Sequence, residues 1–140
     1  LMNTMGISAA RYTKDDPDAW QDKKLLVIDT IGILSSIYRY AYIAYIGGAF
    51  GAGLHNIQEP AVNGMPVIFG PKYDKFREAV DLVEQGGAFS IASRKELKDV
   101  LHKLLENTSA YEDACKTNAM YMLESTGATK KIMQGISSFL

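Results

Sequence analysis

The hydrophobic and polar positions of the chain alternate between short apolar runs and longer amphipathic stretches. Apolar runs typical of β-strands occur at 7–13, 25–28, 42–46, 66–69 and 88–91. Apolar residues at helical spacing predict helices over 33–40, 74–84, 97–105 and 109–127, and a last short one is marked by Ile132, Met133, Ile136 and Phe139. Strands that alternate with helices predict an α/β fold, here a Rossmann-like parallel sheet with flanking helices.

Local signals set several of the predicted boundaries. The run 25–28 is continuously apolar, which is typical of a strand that is buried on both faces. The segments 93–96 and 109–112 each have the Ser-x-x-Glu spacing of a capping box, so a helix is predicted to begin just after each serine. The glycine pair at 86–87 is predicted to end the helix over 74–84.

Composition limits the class of protein. A chain of 140 residues that is 47% hydrophobic and 22% charged can fill a core, which intrinsically disordered chains cannot. Its 15 Lys and Arg balance 16 Asp and Glu, so no nucleic-acid partner is expected. No apolar run reaches the roughly 18 residues that a membrane-spanning helix requires. The sequence therefore predicts a globular domain or a part of one.

The segment 40–71 is distinguished by its glycines and its lack of charge. It contains half of the 12 glycines of the chain, and Glu59 is its single charged residue. Glycine disfavours both strands and helices, so the cluster between the predicted strand 42–46 and a helix opening near 55–56 indicates a loop. Such a loop, at the carboxyl end of a parallel strand, lets backbone N–H groups approach a phosphate. Because 48–53 matches neither GxGxxG nor a P-loop, a tight turn without a ligand is the alternative.

Two interpretations of the residues after the loop stay open. Asn56 and Glu59 have the spacing of a helix N-cap and its reciprocal partner, which is a structural role. In the other interpretation Glu59 accepts hydrogen bonds from two ribose hydroxyls, a task that suits a carboxylate. His55 is either a loop residue or a donor to a phosphate or a carboxylate. His102 is the other histidine and has no ligand cluster around it in sequence, so no metal site is predicted.

Four motifs, taken in order, resemble the 3-deoxy-D-manno-octulosonic acid (Kdo) transferases. They are LVIDTIG at 26–32, YIAYIGG at 42–48, HNIQEPA at 55–61 and GMPVIFGP at 64–71. The resemblance runs from about residue 6 to residue 90 and is less specific in the helical tail. Each motif recurs among GT-B glycosyltransferases, whereas their combination is specific.

The resemblance implies a GT-B fold, in which two Rossmann-like domains face each other across a cleft. Residues 1–140 are then expected to form a single C-terminal domain fragment that binds the donor CMP-Kdo and lacks the first strands of that domain. The acceptor, a lipid A precursor, and the general base belong to the N-terminal domain. No catalytic residue, cofactor or metal is therefore expected in this chain, and the fragment alone is expected to be inactive.

The same resemblance places the parent enzyme at the cytoplasmic face of the inner membrane of a Gram-negative bacterium, on the membrane surface. There it would transfer Kdo in lipopolysaccharide biosynthesis. The fragment itself is expected to be soluble. Strands left without their neighbours expose hydrogen-bonding edges, so self-association of the fragment is also expected.

The resemblance assigns donor binding to residues of two loops: Thr30 and Gly32, and then Gly47, Gly48, Phe50, Gly51, His55, Asn56 and Glu59. The first loop is expected near the cytosine, and the glycine loop near the donor phosphate. The helix start at 55–56 is expected to favour an anion through its N–H groups and dipole. Glu59 matches the acidic residue at the nucleotide ribose. Ala49 and Ala52 depart from the family pattern, but neither removes a backbone donor.

Two other functions are compatible with these residues. A different GT-B transferase, one that uses a UDP-sugar, would share the glycine loop and the Glu-Pro helix. A non-catalytic α/β binding domain would use the glycine loop only as a turn. Comparing the affinities for CMP and UDP distinguishes a CMP-Kdo transferase from one that uses a UDP-sugar. Lack of affinity for either nucleotide would favour the non-catalytic binding domain.

Overall fold

The computed structural model describes residues 6–125, 127, 132–133 and 135–136. The chain divides into two compact units, Leu1–Ser36 and Ile37–Leu140. Each unit contains a parallel β-sheet, and the predicted α/β class is confirmed. The expectation that residues 1–140 form a single domain stays a prediction. None of the described helices is long and apolar enough to cross a bilayer.

The first unit is built on a two-stranded parallel sheet. β1 (Ala9–Arg11) pairs with β2 (Leu25–Val27), and a 3₁₀-helix (Pro17–Trp20) lies between them in sequence. The first two residues of β2 are 38% and 39% exposed, so the prediction of a strand buried on both faces is wrong. Two strands alone cannot cover both faces of their own side chains. α1 (Leu34–Tyr38) forms where helical spacing predicts a helix, and the boundary between the two units falls within it.

The second unit carries a three-stranded parallel sheet in the order β3-β4-β5. Its strands are β3 (Ala44–Ile46), β4 (Val67–Phe69) and β5 (Ala88–Ser90), all within the predicted runs. The last residues of the three strands are paired with one another, so their carboxyl ends are level at one edge. All residues of the central strand β4 are 0% exposed, as expected for a strand that is covered on both faces.

Helices cover both faces of this sheet. The helices are α2 (Gln58–Val62), α3 (Arg77–Gln85), α4 (Arg94–Glu106) and α5 (Thr108–Ser125). One face of the sheet packs against buried residues of α2 and α3, namely Ala61, Ala79 and Leu82. Ile68 on the other face packs against Leu104 of α4 and Ala114 of α5. The predicted Rossmann-like layering is therefore present in this unit.

The predicted C-terminal end of α3 and the predicted start of α4 are confirmed, whereas α3 begins at Arg77, three residues after the predicted start. α3 ends at Gln85 and is capped by Gly86, whose φ of 85° lies in the left-handed region that glycine tolerates. At the start of α4, Ser93 Oγ accepts a hydrogen bond from the Glu96 N–H at 3.2 Å. The Glu96 carboxylate in turn accepts from the Ala92 N–H at 2.8 Å. Glu96 thus reaches back one residue further than in a standard capping box.

The predicted start of α5 is wrong. The helix begins at Thr108, and Asn107 Oδ1 accepts a hydrogen bond from the Ala110 N–H at 3.0 Å. Asparagine is a strong N-cap residue, and this one stands ahead of Ser109, which therefore lies inside the helix. In the predicted last helix, residues 132–133 and 135–136 are helical, whereas Phe139 lies outside the described residues.

Asn118 joins α5 to the amino ends of two strands. Its side chain is fully buried, and Nδ2 donates to Met65 O at 2.7 Å and to Gly87 O at 2.9 Å. A Cβ on Gly87 would overlap Asn118 Oδ1, so residue 87 has to be glycine for the helix to approach this closely. One buried amide thus fixes the position of α5 against β4 and β5.

Replacing Asn118 by Ala should lower the free energy of unfolding by about 2–4 kcal/mol, because two buried hydrogen bonds are lost and a cavity remains. Urea denaturation followed by far-ultraviolet circular dichroism measures this loss, since the long helices of the second unit dominate that signal. Lys116→Ala, at an exposed position of the same helix, is the control and should change stability by less than about 0.5 kcal/mol. Equal stabilities of the two variants would contradict the role of Asn118.

Candidate functional site

The glycine loop, residues 47–53, leaves β3 at the edge where the carboxyl ends of the strands lie. Gly48 has a φ of 92°, and its carbonyl accepts hydrogen bonds from the N–H groups of Gly51 at 2.8 Å and Gly53 at 3.4 Å. A Cβ on Gly48 would overlap the carbonyl oxygen of Gly53 and lie 2.9 Å from His55 Nε2. This turn therefore requires glycine at position 48.

The glycine loop is attached to the segment that follows β4. The Lys72 N–H donates to Ala49 O at 3.0 Å, and Lys72 Nζ donates to Gly51 O at 3.3 Å. The Phe50 ring lies so close to Gly70 that a Cβ there would be 2.5 Å from a ring carbon. The loop is therefore fixed against residues 70–72 at the ends of neighbouring strands.

The hydrogen bonds that shape the loop leave donors available at its surface. They use as acceptors the carbonyl oxygens of Gly47, Gly48, Ala49 and Gly51. None of these bonds uses the N–H groups of Phe50 or Ala52, and both residues are exposed. Backbone N–H groups without a partner in the protein, on a glycine-rich turn, are suited to bind an anion.

Asn56 and Glu59 make only part of the contact that the capping interpretation predicts, because the N-cap of α2 is Ile57, which makes no side-chain cap hydrogen bond. Asn56 Oδ1 accepts a hydrogen bond from the Gln58 N–H at 2.9 Å, and Asn56 Nδ2 donates to Glu59 Oε1 at 3.0 Å. The reciprocal bond thus runs between side chains and engages one of the two carboxylate oxygens. Burial, and secondarily the charge of Glu59, raise the pKa of Tyr38.

The helix expected to open near 55–56 begins at Gln58 and has only five residues. So few peptide units give little aligned dipole, which makes the expected contribution of this helix start to anion binding small. His55 is exposed, and its N–H donates to Gly47 O at 3.3 Å. Any anion binding here depends on the glycine loop rather than on α2.

The other predicted loop belongs to the first unit. Thr30 and Gly32 are exposed, and Gly32 has a φ of 93°. Asp29, the residue before them, accepts hydrogen bonds from the Thr13 N–H at 3.0 Å and Arg11 Nε at 2.9 Å. The Thr13 N–H above all, with help from Arg11, lowers the pKa of Asp29. Asp29 therefore holds the ends of β1 and β2 together as a carboxylate.

The predicted site residues between 47 and 59 lie in the glycine loop and in the segment that leads from it into α2, all within the second unit. Thr30 and Gly32 lie in the first unit, and a ligand-binding role for any of these residues stays a prediction. Lys72 was missed by the sequence analysis, although it is the first Lys or Arg after the cation-free segment 40–71. Among the described residues, no group of three His, Cys, Asp or Glu side chains could hold a metal ion.

Replacing Gly48 by Ala should lower the free energy of unfolding by about 1–3 kcal/mol, because a side chain at this φ is strained and its Cβ overlaps the loop. Gly47→Ala is a matched control, since a Cβ on Gly47 meets no atom within 4 Å. That variant should stay within about 0.5 kcal/mol of the parent protein in the same thermal or urea unfolding measurement. Equal losses at the two positions would show that the turn at Gly48 is not required.

No family model matches the chain. The chain is similar to the 3-deoxy-D-manno-octulosonic acid transferase of Aquifex aeolicus, with 37% identity over 83 residues, which cover 58% of this chain and 24% of that protein. The probable mitochondrial 3-deoxy-D-manno-octulosonic acid transferase of Arabidopsis thaliana is 33% identical over 112 residues, which cover 76% of this chain and 25% of that protein. The chain spans about a quarter of the length of these two relatives.

A solved structure has the same fold. The C-terminal CMP-Kdo binding domain of WaaA from Acinetobacter baumannii matches with a TM-score of 0.72 and 22% identity, covering 87% of this chain and 64% of that chain. The resemblance seen in the motifs is confirmed: this chain is related to the 3-deoxy-D-manno-octulosonic acid transferases and has the fold of the WaaA C-terminal domain.

Proposed function

We propose that this chain is the donor-binding part of a Kdo transferase and that its donor is CMP-Kdo. The observation that carries the proposal is the glycine loop at the carboxyl edge of the sheet, which is held in shape by Gly48 and whose hydrogen bonds do not use the N–H groups of the exposed residues Phe50 and Ala52. In α/β proteins with parallel sheets, ligands bind at this edge. Similarity to the Kdo transferases adds the class of donor.

The chemistry of the donor fits such a loop. CMP-Kdo carries a phosphate that becomes the leaving group when an acceptor hydroxyl attacks the anomeric carbon of Kdo. The new carbon–oxygen bond forms as the bond to the phosphate oxygen breaks, and CMP departs with that electron pair. Backbone N–H groups aimed at the phosphate stabilise the charge that develops on it. The donor-binding part thereby promotes departure of CMP without supplying a base.

Glu59 is proposed to bind the ribose of the donor. Its hydrogen bond with Asn56 engages Oε1 and keeps the carboxylate at the start of α2, the helix that follows the glycine loop in sequence. A carboxylate held in this way can accept hydrogen bonds from the two adjacent ribose hydroxyls. The hydrogen bond from Asn56 and the proposed contact with the ribose are then compatible, because the bond from Asn56 orients the carboxylate that would bind the ribose.

The remaining parts of the reaction are assigned to the rest of the protein. A carboxylate outside this chain is proposed to take the proton of the acceptor hydroxyl, and the acceptor is proposed to be a lipid A precursor. The whole enzyme is proposed to work at the cytoplasmic face of a bacterial inner membrane. Without the acceptor and the base, the chain alone is expected to lack transferase activity.

The proposal is tested by titrating the full-length protein with CMP and with UDP in a calorimeter. CMP should bind at least about tenfold more tightly than UDP, a difference of roughly 1.4 kcal/mol. Tighter binding of UDP would indicate a transferase that uses a UDP-sugar. Binding of neither nucleotide would favour a non-catalytic binding domain and contradict the proposal.

Replacing Glu59 by Gln in the full-length protein should weaken CMP-Kdo binding about tenfold to hundredfold. Hydrogen bonds to a charged group contribute roughly 1.5–3 kcal/mol, and the substitution removes the charge. The Tm should stay close to that of the parent protein, because Gln keeps an Oε1 that can accept from Asn56. Calorimetric titration and thermal unfolding measure the two quantities.

Glu78→Gln is the matched control for this substitution. Glu78 Oε1 likewise accepts a hydrogen bond from a side-chain amide, that of Gln58, at 2.8 Å. A glutamine at 78 would keep that acceptor, and donor affinity should not change. If Glu59→Gln leaves both donor affinity and Tm unchanged, Glu59 is only a capping residue.

A further inference from the structure

Lys72 brings a positive charge to a glycine loop that has none of its own. The segment 40–71 contains no Lys or Arg, and Lys72 follows it directly. The hydrogen bond from the Lys72 N–H to Ala49 O, 3.0 Å long, fixes the backbone of this residue beside the loop. Its ammonium group reaches Gly51 O at 3.3 Å. Both the backbone N–H and the ammonium group of Lys72 therefore contact the loop.

The ammonium group of Lys72 keeps capacity for a further partner. An ammonium has three N–H donors, and the bond to Gly51 O uses one of them. The ion pairs between described residues engage Arg11, Arg77, Lys95 and His102 with carboxylates, and none of them includes Lys72. Lys72 is also exposed, so an incoming anion can reach it.

We propose that Lys72 is a further binding residue of the donor site and that its ammonium group binds the phosphate of the CMP moiety. This inference rests on the proposed donor-binding function. A charge-assisted hydrogen bond to phosphate is stronger than the bond to the Gly51 carbonyl, so Nζ moves toward the phosphate or is shared with it. The phosphate becomes more negative as CMP departs, so the contact strengthens along the reaction.

A structural role for Lys72 makes a different prediction from the same contacts. If its ammonium only holds Gly51, loss of the side chain distorts the loop and lowers the affinity of every ligand that binds there. If the ammonium binds phosphate, only ligands that carry a phosphate lose affinity. CMP and cytidine differ by this one group, so their affinities separate the two roles.

The experiment measures the Kd of CMP and of cytidine by calorimetry for the full-length protein and three variants. In Lys72→Gln the Kd of CMP should rise about tenfold or more, while that of cytidine stays within about twofold. Lys72→Arg should recover most of the CMP affinity, because it keeps the charge. Lys75→Gln, an exposed lysine of the same segment, should leave both constants within about twofold.

Each contrary result has its own meaning. Equal weakening of CMP and cytidine in Lys72→Gln would overturn the phosphate contact and assign Lys72 a role in loop structure. An unchanged CMP constant would exclude both roles. A parent protein that binds neither ligand would contradict the proposed function itself, and this inference with it.

Discussion

The close approach of two chain segments at the carboxyl ends of β3 and β4 is the constraint on which the candidate site depends. Gly48 turns with a positive φ where a Cβ would overlap the loop itself, and Gly70 leaves room for the Phe50 ring. The backbone bond from Lys72 to Ala49 joins the two segments. Because these contacts fix the loop, its outer N–H groups can be oriented before any ligand arrives, which is the condition for effective electrostatic stabilisation.

Most of the architecture of the second unit is predictable from the sequence. β3, β4 and β5 each fall inside a predicted apolar run, and the ends of α3 and α4 were set by glycine and by a capping box. These signals are local, so they can be recognised without knowing the tertiary structure. The predicted start of α5 is wrong because Asn107, and not Ser109, accepts the capping hydrogen bond. The burial of β2 was wrong because burial depends on neighbours that a run of apolar residues does not specify.

In the candidate site, too, the residues that are adjacent in sequence are predictable, whereas the residue that strand pairing brings to the loop is not. Residues 47–59 form one stretch of sequence. Its glycines identify the loop 47–53, and the HNIQE segment that follows identifies residues 55–59. The individual reasons differ, however: Gly48 is required by the turn, whereas a Cβ on Gly47 meets no atom within 4 Å. Lys72 is 21 residues from Gly51 and reaches the loop only because β3 and β4 are neighbouring parallel strands. That proximity follows from the pairing and register of β3 and β4, which the pattern of apolar residues along the chain does not predict.

The central claim is that the glycine loop binds the phosphate of a CMP-linked donor. A crystal structure of the full-length protein with CMP tests it most directly. The account predicts the phosphate against residues 47–53, with backbone N–H groups of the loop and Lys72 Nζ within hydrogen-bonding distance of about 2.7–3.2 Å. CMP bound elsewhere on the protein, with the loop more than about 5 Å from its phosphate and so beyond hydrogen-bonding reach, would contradict it.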